Sequence, residues 1–262
     1  GVMQAAGSEG HFITNAAEHR AVLDPAKKLE RRGYAITVLP VDQYGRVDPD
    51  AVAASLRPDT RLVSVMLANN EVGSINEVAR IGAICREHDV LCHVDAVQAL
   101  GRVPVDLGEL RVDLLSLSAH KVYGPKGIGA LWVRRGGRRL HLESQTDGGG
   151  HEGGLRSGTL PVPLIVGFGA ACQLAGDELA EDSRRIGRLR DRLWSGLQNE
   201  LSGLHLNVHP DLRLAGNLNV SFEGVDGDAL MTSLKDLAVS SGSACTSANP
   251  EPSHVLRAMG RS

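Results

Sequence analysis

Between residues 12 and 133, short β-rich apolar runs alternate with stretches whose apolar residues recur every three or four positions. The runs at 12–14, 35–39, 62–67, 90–94, 114–117 and 128–133 predict strands. The stretches at 23–32 and 78–88 predict amphipathic helices, and Gly33 stands where a helix-ending glycine belongs. Strand–helix–strand alternation of this kind specifies βαβ units feeding a mostly parallel sheet flanked by helices, an α/β fold. Right-handed crossovers then gather the loops that follow the strands at one edge of the sheet, where binding residues collect.

The rhythm breaks at the glycine-rich stretch 147–158, and residues 160–198 then read as one long helical region containing Trp194. Beyond it come a strand at 218–222, a helix at 228–236, a strand at 238–240 and a helix at 253–258. These boundaries predict a large domain over 1–160, a connecting helical region over 161–200 and a smaller α/β domain over 201–262. The chain opens on Gly1 and stops at Ser262 just after a helical pattern, so both domains are expected to be parts of a longer protein.

Composition narrows the function classes. Hydrophobic residues make up 42% of the chain and charged residues 23%, the balance of a folded soluble protein. A formal charge of −3 with no basic stripe disfavours direct nucleic-acid binding. There is no run of about 18 apolar residues and no signal-peptide pattern, which points to the cytoplasm and away from a membrane span. Cys85, Cys92, Cys172 and Cys245 are scattered without CxxC pairing, which argues against a disulfide framework or a structural zinc site. Cys85 and Cys92 fall on apolar helix and strand patterns and Cys172 within the long helix, where packed thiols are expected.

Two positions carry candidate chemistry. Ser118-Ala119-His120-Lys121 follows an apolar strand and precedes Gly124-Pro125-Lys126-Gly127, so Lys121 lies in a tight loop at a strand end. That setting suits an amine that forms a Schiff base with an aldehyde cofactor, an ordinary turn lysine being the alternative. His93-Val94-Asp95-Ala96-Val97-Gln98 closes another strand, and an aspartate there either caps a helix or meets a ligand. In pyridoxal phosphate enzymes such an acid pairs with the pyridinium nitrogen and keeps the ring an electron sink. Cys245 lies in a run of small polar residues, 240–247, that offers it no packing role, the setting of a loop nucleophile or equally of an inert loop cysteine.

Asn69-Asn70-Glu71-Val72-Gly73, His93 to Gln98, Ser118 to Lys121, Arg156-Ser157-Gly158-Thr159 and Ser240-Ser241-Gly242-Ser243-Ala244-Cys245-Thr246-Ser247 together resemble the motifs of the cysteine desulfurases, in the same order. The resemblance spans essentially the whole chain. It implies a class V aminotransferase-like enzyme of PLP fold type I and a homodimer. Lys121 would hold pyridoxal 5'-phosphate, Asp95 its ring nitrogen, and Gln98 and Asn70 its phenolic oxygen. Ser118 and His120 would contact its phosphate, as Thr159 would from a neighbouring subunit. His19 would stack on the ring and, with Lys121, move protons. The Cys245 thiolate would take sulfur from L-cysteine as a persulfide, releasing alanine, and pass it to an acceptor protein for uses such as iron–sulfur cluster assembly or tRNA thiolation.

The family's phosphate-cradling loop and its carboxylate-binding arginine have no counterpart here, while Asp147 and Gly153 replace a usual histidine and arginine. Another class V lyase or aminotransferase would need Lys121 and Asp95 but not Cys245. A non-catalytic scaffold or an inactive fragment would keep the fold alone.

Overall fold

The computed structural model describes residues 1–7, 9–136, 140–238 and 253–261. Six strands form the main sheet: β1 (His11–Asn15), β2 (Ala35–Leu39), β3 (Thr60–Met66), β4 (Leu91–Asp95), β5 (Leu114–Ser118) and β6 (Gly129–Val133). Their order is β2-β1-β3-β4-β5-β6, with β1 to β5 parallel and β6 antiparallel to β5. The mostly parallel sheet read from the sequence is therefore present, each strand within two residues of its expected bounds.

The helices are α1 (Val2–Ala5), α2 (Arg20–Glu30), α3 (Pro49–Ala54), α4 (Val78–Glu87), α5 (Leu107–Leu110), α6 (Val162–Glu200), α7 (Gly227–Ser233) and α8 (His254–Ala258). α2 ends as expected: Gly33 takes φ +95° and the Tyr34 N–H reaches back to the Leu29 carbonyl. α2 leads from β1 outward to β2, and α4 leads from β3 the other way to β4. Right-handed crossovers therefore send them to opposite faces. Val78, Ile81 and Cys85 of α4 pack with Ile13, Val63, Val65, Cys92 and Val94 into the principal core. On the other face Ala26 of α2 packs with Met3, Phe12 and Tyr34.

Strand alternation gives the two faces different chemistry. On β4, Cys92 and Val94 point into the principal core, so His93 and Asp95 point to the opposite side. β6 follows β5 through a turn that carries Lys121, and α6 packs against that turn. The contact is close: a Cβ added at Gly167 would lie 2.8 Å from Pro125 Cγ, and one at Gly124 would lie 3.2 Å from Ala171 Cβ.

α6 runs for 39 residues and buries only Phe168 fully. An 18-residue window of it reaches a mean hydropathy of 1.2, so by length and composition it could span a bilayer, although no such run was read in the sequence. Its apolar residues Phe168, Ala171, Cys172 and Ala175 meet Ala119 and Val122, the role of a packing face. A two-stranded antiparallel sheet follows, β7 (Leu204–Leu206) with β8 (Val220–Phe222). β7, α1, α3 and α5 were not read from the sequence, each being too short to show a period. The strand expected at 238–240 runs into residues 239–252, which, with Cys245, lie outside the described residues.

Candidate cofactor and active site

The ordering of the strands places a topological switch between β1 and β3, since the chain leaves β1 toward one edge and leaves β3 toward the other. Open α/β sheets bind ligands beyond the carboxyl ends of their strands at such a point. The loops there carry His19 after β1, Asn70 after β3, Asp95 at the end of β4, and Ser118, His120 and Lys121 after β5.

Asp95 is half-buried, and its Oδ1 accepts the Val97 N–H at 2.9 Å. The side chain thus closes a turn and does not start a helix. Burial pushes its pKa up, while the Val97 bond and the nearby His19 act in the opposite sense. His19 is the N-cap of α2, its Nδ1 accepting the Ala21 N–H at 3.1 Å. In the neutral ring this leaves the proton on Nε2.

Lys121 is the third residue of a 3-10 turn, Ala119–Val122. Ala119 and Val122 are buried against Phe168, which fixes the turn while Lys121 itself stays half-buried. Ser118 Oγ and His120 Nδ1 lie 2.9 Å apart, a hydroxyl–imidazole pair beside it. Gln98 is engaged by its own turn, its Oε1 accepting from the Arg102 guanidinium.

The adjacent asparagines differ in kind. Asn69 is spent on structure: its Oδ1 accepts the Glu71 and Val72 N–H groups at 2.8 and 3.0 Å, and its Nδ2 donates to the Ala17 carbonyl. Asn70 Oδ1 is buried with no hydrogen-bond partner. Buried polar atoms are rarely left so, and this oxygen is free to accept a further hydrogen bond.

His93 lies one layer in from this edge. Its ring is held between Ser64 Oγ at 2.7 Å and Ser116 Oγ at 2.8 Å, and burial pulls its pKa down to about 4. It is a neutral structural bridge. Thr159 is exposed in the loop before α6, with no hydrogen bond to the Lys121 turn. Cys85 and Cys92 are buried, and burial raises the pKa of the partly buried Cys172.

Sequence reading missed Glu18 and Arg102. Glu18 stands beside His19, but its complete burial depends on the end of β3, far along the chain. An amine, a carboxylate, a carboxamide with an Nδ2 donor and a hydroxyl–imidazole pair at one sheet edge match the aldehyde, ring nitrogen, ring oxygen and phosphate of pyridoxal phosphate. The residues present fit that group.

A family model for class V aminotransferases matches residues 1–262. The chain belongs to the class V aminotransferase family. This family is pyridoxal-phosphate-dependent, and the chain carries its fold type I. The chain is 55% identical over 264 residues to "Cysteine desulfurase IscS" of Acinetobacter baumannii (strain AYE), a match covering 100% of this chain and 65% of that relative. It thus spans about two thirds of the length of the curated relatives it matches. Among solved structures, a "NifS-like protein" superposes with a TM-score of 0.88 at 37% identity, covering 99% of this chain and 69% of the other. "SspA in complex with cysteine" gives a TM-score of 0.85 at 37% identity, covering 100% and 72%.

Proposed function

We propose that this class V chain is the greater part of a cysteine desulfurase, a cytoplasmic homodimer that moves sulfur from L-cysteine through Cys245 to an acceptor protein. The observation that carries the reading is the group of Lys121, Asp95, His19 and the carboxamide of Asn70 at the β1/β3 switch point. The similarity to IscS and NifS-like proteins supports the same activity.

Bound pyridoxal phosphate supplies an electron sink that weakens the bond between the substrate Cβ and sulfur. Lys121 would hold the cofactor covalently through Nζ, and Asp95 would pair with the ring nitrogen. Ser118 and His120 would meet the phosphate, as would Thr159 from the partner subunit. Gln98 and Asn70 would meet the ring oxygen, with Asn70 also near substrate. Lys121 Nζ and His19 Nε2 are then the groups able to move protons on either side of the ring.

Cys245 would take the sulfur: its thiolate forms the S–S bond as the substrate C–S bond breaks, the C–S electron pair stays with Cβ, and Cβ takes a proton to become the methyl group of alanine, leaving a persulfide on Cys245. Cys245 precedes Ser253 by eight residues in the sequence. Ser253 is held near the cleft, because Ser253 Oγ donates to Glu71 Oε2 and His254 Nε2 bonds the Glu18 carbonyl at 2.9 Å. Glu71 and Glu18 adjoin Asn70 and His19.

The test is alanine release from L-cysteine by the protein and by Cys245→Ser. The desulfurase reading expects the substitution to lower alanine formation more than 100-fold while leaving cofactor absorption intact. Equal turnover in both would assign the chain to another class V chemistry that needs no thiol.

A further inference from the structure

Among the described residues, Glu18 is the one fully buried carboxyl at the carboxyl edge that the proposed chemistry leaves unused, and its surroundings are unusual for an acid. It has 0% exposure. Its Oε1 accepts two short hydrogen bonds, from the Met66 backbone N–H at 2.6 Å and from Asn15 Nδ2 at 2.6 Å. Its Oε2 is buried with no partner. The carboxyl therefore joins the last residue of β1 to the last residue of β3, across the switch point.

Met66 is also the sheet neighbour of Asp95, so the two acids lie on either side of one strand end. The titratable group that acts on the Glu18 carboxyl is Asp95 from β4; His19 is its chain neighbour, and His254 of α8 bonds the Glu18 backbone carbonyl oxygen. Among the described residues no lysine or arginine pairs with its carboxyl. An ionised carboxylate buried without a cation and beside a second acid is costly, and such a group keeps its proton instead.

We propose that Glu18 is a protonated positioning residue that clamps the ends of β1 and β3 and leaves Asp95 the sole carboxylate charge under the cofactor ring. Burial supports this by pushing the Glu18 pKa up to about 8. The Met66 N–H opposes that shift, Asp95 adds to it, and the Asn15 amide opposes it again. Charge then concentrates where the ring nitrogen binds, and the loop that presents His19 is held by a neutral hydrogen-bonded link. The part that concerns the ring rests on the reading of the site as a pyridoxal phosphate site. The protonation of Glu18 does not.

The experiment compares unfolding of cofactor-free protein as a function of pH in the parent, Glu18→Gln, Asp95→Asn and the double variant. The folded state holds the Glu18 proton to about pH 8 whereas the unfolded chain gives it up near 4.5, so parent stability falls with rising pH across that window. Glu18→Gln, an uncharged isostere that keeps the Oε1 acceptor, should lack this decline. In the Asp95→Asn background the decline attributable to Glu18 should shrink, because one cause of the raised pKa is gone. Parallel profiles for the parent and Glu18→Gln would overturn the proposal, and an undiminished decline beside Asp95→Asn would overturn the coupling.

Should Glu18→Gln fail to fold, carboxyl-labelled glutamate in the parent decides by magnetic resonance. One signal still at the protonated position at pH 7 is expected, and none would overturn the proposal. With pyridoxal phosphate bound, the pH midpoint of the visible band should differ between the parent and Glu18→Gln. A band that never forms counts against the cofactor site, whereas identical midpoints in the two proteins count against Glu18.

Discussion

His93 ties three strands together one layer in from the candidate site. It bridges β3 and β5 from β4 through Ser64 and Ser116, and its pKa is pulled from 6.5 to about 4 by burial. The unfolded chain therefore binds a proton between those values that the folded protein refuses, so stability falls as pH drops through that window. His93→Gln should flatten this acid-side loss in equilibrium unfolding measured from pH 7 to pH 4. A slope equal to the parent's would mean that the ring is protonated in the fold. Lys121, Asp95 and Asn70 could be singled out from sequence because each closes an apolar run or lies in a recognisable motif. The differing fates of Asn69 and Asn70 could not, because they depend on Ala17, some fifty residues away in the chain. Nor could the burial of Glu18, which is set by Met66.

Among the elements, α6 has the most direct bearing on the site. Its first turns press on the loop after Lys121, and Gly167 admits Pro125 at a distance no side chain would allow. Gly167→Ala should lower stability by about 1–3 kcal/mol, the usual cost of overpacking, and weaken pyridoxal phosphate binding by displacing the turn. Gly169→Ala on the same helix meets nothing within 4 Å and should be neutral or raise stability by up to about 1 kcal/mol. Equal thermal shifts in the two variants would contradict the packing argument. The strands were legible as short β-rich apolar runs, whether buried like β1 or exposed at the sheet edge like β6, and α6 because its length sustains a period. α3 and α5, of six and four residues, are set by N-caps at Asp48 and Asp106, which also look like ordinary loop aspartates in a sequence.

At the scale of the whole molecule, the chain makes its last described turn back to the carboxyl edge of the large sheet. α8 buries Val255 against Ala17, Val72 and Val208, so both ends of the chain contribute to the region around His19 and Asn70. This return was invisible in sequence, since the helix at 253–258 could be read but not where it docks. The central claim, that this edge is a pyridoxal phosphate site built on one lysine, is tested most directly by chemical trapping. The protein would be incubated with pyridoxal phosphate, reduced with borohydride, digested and mapped by mass spectrometry. The account predicts a stable pyridoxyl adduct at Lys121, lost in Lys121→Ala without transfer to Lys126. Labelling spread over surface lysines, or a principal adduct elsewhere that survives Lys121→Ala, would contradict it.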